Sequence, residues 1–281
     1  MMFEKPPPLA VRQRLRPKLG TWVSVRCVGP DMTAVGDAVE AAFAVFDRID
    51  QRLHPTRTGS DLDAIRSRSG VIEVDAWTWE LLRASMVLRG LSKGVFDPRV
   101  PGGEIGDLRL YAPRCVEIVR PVSIDLGGIA KGFAVDRAID AIRERGCSSA
   151  VVNAGGDLRV FGADDFAAWV RTPDAQWSVP LRDAACAVSC PHAEQRPSEH
   201  RGFYRLDSAA DDDDRRARWA AVVAPSAMWA DALATYAMVC RTAAERLGFR
   251  AVLAQLGART LDAPVEIAAQ KKPGCWAGLG R

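Results

Sequence analysis

The stretch from Ser123 to Asp140, SIDLGGIAKGFAVDRAID, constrains this chain most. It starts as a strand, turns at Gly127-Gly128 and continues at helical spacing. Glycine reaches backbone angles that other residues avoid, and its bare N–H lets a ligand come close. A helix start adds free amide donors and the positive end of a dipole, which suits an anion, typically a phosphate. Lys131 places a full positive charge in the first helical turn, where the dipole disfavours it, and so points to a ligand. The spacing matches neither G-x-G-x-x-G nor the P-loop, which excludes the two commonest nucleotide fingerprints. On these residues alone, a tight strand-to-helix turn with a solvent-facing lysine stays open.

Two further stretches share this character. Asn153-Ala154-Gly155-Gly156-Asp157 follows an apolar strand and again exposes backbone beside a carboxylate. In Ala224–Thr235, a helical reading puts Asp231 and Thr235 one turn apart on one face, among alanines that let another backbone approach. A carboxylate, a hydroxyl and a backbone carbonyl from elsewhere form a hard oxygen set suited to Mg2+. The alternative is a helix packed through its alanines, with Thr235 bonding back to its own turn.

The rest of the chain reads as mixed strands and helices without strict alternation, so the expected fold class is α+β rather than a doubly wound sheet. Residues 1–18 read as a flexible arm, and 19–281 as one compact unit or two lobes around a cleft. Thr21–Cys27 alternates like a strand. Asp31 caps a helix carrying Val35, Val39, Ala42, Phe46, Ile49 and Leu53 on one face, ended by His54-Pro55. Helices are expected at Asp61–Arg66, Ala76–Leu91 and Ala130–Arg145, and from Ser226 to about Leu247. Strands are expected at Arg114–Arg120, Ser123–Leu126, Ala150–Asn153, Leu158–Phe161, Ala167–Arg171, Ala185–Ser189 and Trp219–Val223, with weaker ones at Val252–Leu256 and Val265–Ala268. Residues 191–218, with four aspartates at 211–214, read as a solvated loop.

Composition narrows the function by exclusion. A net charge of +3 across 281 residues is too slight for a nucleic-acid surface. No apolar run nears the roughly 18 residues that span a bilayer, and neither a signal peptide nor a lipid-anchoring cysteine is evident; the expected location is the cytoplasm. Seven scattered cysteines form no disulfide framework. Cys186, Cys190 and His192 make the only cluster. It lacks a nearby fourth ligand, which favours thiols on a partly buried strand over a zinc site.

Taken in order, Asp125–Asp136, Asn153–Asp157 and Ala230–Thr235 resemble the ApbE family, the FAD:protein FMN transferases, whose pattern runs D-L-G-G-I-A-K-G-x-A-x-D, N-x-G-G-D and A-D-A-L-A-T. Leu19-Gly20-Thr21, Gly94–Pro98 and Ala187-Val188-Ser189 extend the resemblance over about residues 19 to 260. It implies an ApbE-like α+β fold of mixed sheets and packed helices with a central cleft. It also implies an enzyme that splits FAD and attaches FMN to a Thr or Ser hydroxyl of an acceptor flavoprotein, releasing AMP. Under this resemblance Gly127, Gly128, Ala130, Lys131, Asn153, Gly155, Gly156, Asp157 and Ser189 line the FAD site. The Ala130 carbonyl, Asp231 and Thr235 hold Mg2+, and Asp125 and Asp136 orient the turn from behind. The family also carries an H-x-x-D-P-x-T-G segment with a catalytic histidine. Here Tyr204-Arg205-Leu206-Asp207-Ser208 places Tyr204 at that position, and Cys190 stands where a glycine is usual. A tyrosine, with an ordinary pKa near 10, is a poor base at neutral pH, so His200 is the alternative. FAD pyrophosphatase and non-catalytic FAD binder remain the competing activities.

Overall fold

The computed structural model of the chain describes residues 8–54, 57–99, 107–162, 166–171, 176–189, 219–240 and 243–261. Its centre is a seven-stranded antiparallel sheet in the order β1-β2-β6-β7-β10-β11-β12. These strands are β1 (Ala10–Lys18), β2 (Thr21–Gly29), β6 (Ser149–Ala154), β7 (Asp157–Phe161), β10 (Ala185–Ser189), β11 (Ala220–Ala224) and β12 (Arg259–Thr260). A smaller sheet has the order β3-β5-β4, from β3 (Gly70–Glu73), β4 (Leu108–Tyr111) and β5 (Cys115–Ile118). A separate hairpin joins β8 (Phe166–Arg171) to β9 (Gln176–Leu181).

Strand alternation splits the central sheet into two faces. One face carries Val23, Val25, Ala150, Val152, Ala154, Ala185, Ala187, Val222 and Ala224, all buried in the main core. Against it lie α1 (Met32–Leu53), α4 (Ala130–Arg143) and α5 (Ala227–Val239). The sheet residues beneath α5 are mostly alanine, and α5 itself carries buried Ala227, Ala230, Ala232 and Ala234. Small residues on both surfaces let helix and sheet backbones come close. The other face is covered over β7, β10 and β11 by the β8–β9 hairpin, through Leu158, Val160, Ala168, Val170, Val179, Leu181, Cys186, Ala221 and Val223. Burial pushes the Cys186 thiol up to about 12, so at neutral pH it is protonated and packs as a small apolar group; Cys190 and His192 lie outside the described residues.

Most expected elements form where the pattern puts them. Asp31 accepts from the Thr33 and Ala34 amides at 2.9 and 2.8 Å, a cap of about 1 kcal/mol. The expected apolar stripe of α1 is buried throughout. Helices α2 (Asp61–Ser67) and α3 (Ala76–Leu91) stand within a residue of their expected bounds.

Four differences are informative. The arm expected over residues 1–18 contains β1. This edge strand tolerates Pro17 and turns Arg16 and Lys18 onto Glu40 and Asp47 of α1. The helix expected to run to Leu247 breaks at Cys240, and α6 (Ala243–Gln255) turns back so that Phe249 meets Tyr236 edge-on at 5.1 Å between centroids. The strand expected at Val252–Leu256 is therefore helical, with Phe249, Val252 and Leu253 buried at helical spacing. Ser123–Leu126 forms only a single bridge, Arg99 to Ile124. The expected strand at Val265–Ala268 lies outside the described residues. No helix among the described residues is long and apolar enough to cross a membrane.

Candidate active site

The site forms where the N-termini of α4 and α5 meet the start of β7. Helix α4 begins without a side-chain cap of its own, because its cap position is Ile129. The missing acceptor comes from the other helix: Asp231 Oδ2 accepts the Gly132 amide at 3.0 Å. This approach requires glycine. A Cβ at position 132 would lie 2.1 Å from the Ala227 carbonyl oxygen and 2.8 Å from Asp231 Cβ. Asp231 is only 2% exposed, so its charge is stabilised by that amide, by the start of α4 and by Lys131 Nζ, 3.7 Å from Oδ1.

Lys131 answers first to Asp157. The two form a close ion pair, with Asp157 buried at the start of β7. The lysine expected to meet a ligand thus already bridges two carboxylates. Asp157 comes directly after Gly155-Gly156, the two-residue turn of the β6–β7 hairpin, with φ of +65° and +107°. Only glycine takes both positions without strain. Asn153 braces the turn by accepting the Gly156 amide at 2.9 Å. The Gly155 amide donates to the Trp22 carbonyl at 3.3 Å, which sets the hairpin beside the β1–β2 turn.

Gly127-Gly128 sits on the other side of α4's start. Asp125 Oδ1 accepts the Gly127 amide at 2.7 Å, and the Asp125 amide donates to the Pro98 carbonyl at 2.8 Å. Asp125 therefore orients this turn, as expected. Asp136 does something else. It lies inside α4, 5% exposed, and accepts from the Ala227 and Met228 amides, both at 2.9 Å, and from Arg159 Nη1 at 2.6 Å. It holds the start of α5 rather than the glycine turn. Burial raises its pKa, opposed by Arg159 and the two amides.

The fold thus gathers Lys131, Asp157 and Asp231, with Ala130, Asn153, Gly155 and Gly156 adjoining them along the chain and Gly127-Gly128 leading into α4. Thr235 is half-buried one turn beyond Asp231. Ser189 ends β10, at the end of the sheet where β7 begins. Tyr204 and His200 lie outside the described residues. Arg159 is the residue that the sequence reading misses. The available signal is period two: on β7 it shares a face with Asp157.

The donor chemistry can be tested against a metal. Among the described residues, His, Cys, Asp and Glu side chains gather in no group of three or more able to hold one. The local set is one buried carboxylate, a hydroxyl one turn on, and backbone oxygen at the α4 start. Such a set fits Mg2+, which takes one or two carboxylates and completes its shell with water and phosphate oxygens, and does not fit zinc.

Two helix starts, each capped by a carboxylate of the other helix, meet a Lys–carboxylate cluster beside a glycine hairpin. The model of the ApbE family matches residues 19–103 and 105–252, and the chain belongs to that family. Among curated proteins it resembles the FAD:protein FMN transferase of Rhodobacter capsulatus, 28% identical over 57% of this chain and 37% of that protein. It also resembles that of Treponema pallidum, 27% identical over 62% of this chain and 59% of that protein. The chain thus spans less than two thirds of the length of either relative. Among solved structures it shares the fold of Pseudomonas stutzeri flavinyl transferase ApbE, at TM-score 0.69 and 19% identity over 90% of each chain. The ApbE protein of Thermotoga maritima matches at TM-score 0.69 and 24% identity over 89% of this chain and 93% of that one.

Proposed function

We propose that the protein is a Mg2+-dependent FAD:protein FMN transferase. In this reaction the oxygen of an acceptor Thr or Ser hydroxyl forms a bond to the phosphorus of the FMN half of FAD. The bond from that phosphorus to the bridging oxygen breaks, and the bridging oxygen leaves on AMP. The acceptor's proton passes to a base, for which the sequence offers Tyr204 or His200. The observation that carries the reading is the buried Asp231, bonded to the start of α4 and facing Lys131.

Charge explains why a cation belongs there. Asp157 and Asp231 against Lys131 leave these three groups one negative charge in excess, which repels a pyrophosphate. Asp231, Thr235 and the Ala130 carbonyl would hold Mg2+, which when bound neutralises phosphate oxygens. Lys131 adds a mobile positive charge that can turn from Asp157 toward the phosphate. Gly156 presents backbone with nothing within 4 Å of where a Cβ would stand, so a nucleotide can lie against it. Phosphoryl transfer needs little more than such positioning and neutralisation.

The test is incubation of the protein with FAD, Mg2+ and a flavoprotein bearing a Thr or Ser acceptor site. The expected result is a covalent flavin adduct by intact mass, with one AMP released per adduct. AMP without adduct makes the protein a FAD pyrophosphatase; tight FAD binding without AMP makes it a flavin carrier.

A further inference from the structure

Helices α4 and α5 meet near their starts, and each caps the other. Asp231, one turn into α5, takes the Gly132 amide of α4. Asp136, one turn beyond Gly132 in α4, takes the Ala227 and Met228 amides of α5. Ser226 accepts only the Trp229 amide, at 3.3 Å, so the first two amides of α5 depend on Asp136. The same carboxylate also binds Arg159, which lies two residues from Asp157 on one face of β7.

From this convergence we infer that Asp136, together with Arg159, is the positioning residue that sets Asp231, Lys131 and Asp157 at their mutual distances. Three elements supply those residues: α4 gives Lys131, α5 gives Asp231 and β7 gives Asp157. All three are fastened at one buried carboxylate. Asp136 acts through the backbone of α5 and through Arg159. Its loss leaves the flavin site's surface residues unchanged while letting α5 slide against α4. A shift of about 1 Å at the reacting groups lowers a rate by about 100-fold.

The inference rests on the proposed flavin transfer, and the experiment separates the two. Asp136→Asn keeps the size of the side chain but replaces one acceptor oxygen with a donor. Arg159→Met keeps both acceptor oxygens and removes only the link to β7. Ile142→Val and Ile142→Ala, at a fully buried position further along α4, supply stability losses that bracket that of Asp136→Asn. Each full-length protein is measured for AMP release from FAD, for hydrogen exchange of the first-turn amides of α5, and for thermal stability.

Asp136→Asn is expected to lower kcat by about 10- to 100-fold, with the KM for FAD within about threefold of wild type. Exchange at Ala227 and Met228 speeds up at least about tenfold. Arg159→Met shifts kcat the same way by less, and decides the matter if Asp136→Asn does not fold. The inference is overturned if kcat stays within about twofold of wild type. It is equally overturned if an Ile142 variant of matched stability reproduces the drop. If wild type itself releases no AMP, the proposed function has failed, and exchange alone then decides whether Asp136 holds α5.

Discussion

The molecule contains two glycine pairs that look alike in sequence and do different work. Gly155-Gly156 is a true hairpin turn, both residues at positive φ, packed against the β1–β2 turn. Gly127-Gly128 is not among the positive-φ positions; it is a lead-in to α4, held by Asp125. In the first pair glycine supplies a conformation. In the second stretch the demand for glycine falls further on, at Gly132, where one helix touches another. A strand leading into Gly-Gly is therefore not one device. The element after the pair, strand or helix, decides which it becomes.

Substitutions at these glycines break the comparison open, in a definite order. Gly132→Ala is expected to be worst, because its Cβ meets backbone that cannot swing away; we expect a loss of about 3 kcal/mol, together with most activity. Gly155→Ala comes next. It combines a φ of +65° with a Cβ 2.4 Å from Thr21 Oγ1, and about 2 kcal/mol should be lost in urea unfolding. Gly156→Ala meets nothing within 4 Å, so only its backbone strain of about 1 kcal/mol remains. Gly127→Ala meets only the end of the Asp125 side chain, at 2.9 Å, and should cost less than about 1 kcal/mol. A Gly127→Ala variant as damaged as Gly132→Ala overturns the distinction.

The two turns should also differ in acid. Behind the Gly127 turn, Pro98 accepts the Asp125 amide, and its neighbour Asp97 binds Arg99 and Arg89. Burial of Asp97 raises its pKa, but the bonds from the Arg99 side chain and amide and from Arg89 together outweigh this and hold it below the ordinary value. A depressed carboxylate contributes stability above the ordinary carboxylate range and loses it as pH falls through the lowered value. The Gly155 turn is braced by the Asn153 amide, which does not titrate in that range. Exchange measured from pH 6 downward should therefore loosen residues 97–99 and 124–127 before the Asn153-braced turn at 153–156. Asp97→Asn should flatten that part of the pH dependence.

Much of this arrangement is legible in the sequence because it is local. A glycine turn before a helix, a second before a strand, and an Asp–Thr pair at helical spacing each lie within a dozen residues. The α1 stripe is equally plain, since one face repeats over its whole length. The rest is set by partners distant in the chain. Strands β3, β4 and β9 are only four to six residues long, and their pairing, not their composition, makes them strands. The break at Cys240 has no proline or glycine to announce it and comes from α6 packing back on Tyr236. Asp136 is visible as a motif residue, yet its partners Ala227, Met228 and Arg159 lie 23 to 92 positions away, so its task cannot be read from its neighbours.

The central claim is that the cluster at the facing helix starts splits FAD. The most direct measurement is AMP release from FAD in the presence of Mg2+ and an acceptor flavoprotein, wild type against Asp231→Asn and Asp231→Ala, with folding checked by circular dichroism. Wild type should yield AMP and covalent FMN in equal amounts, and either folded variant a rate at least about 100-fold lower. A folded Asp231→Ala protein that releases AMP at the wild-type rate would contradict the claim.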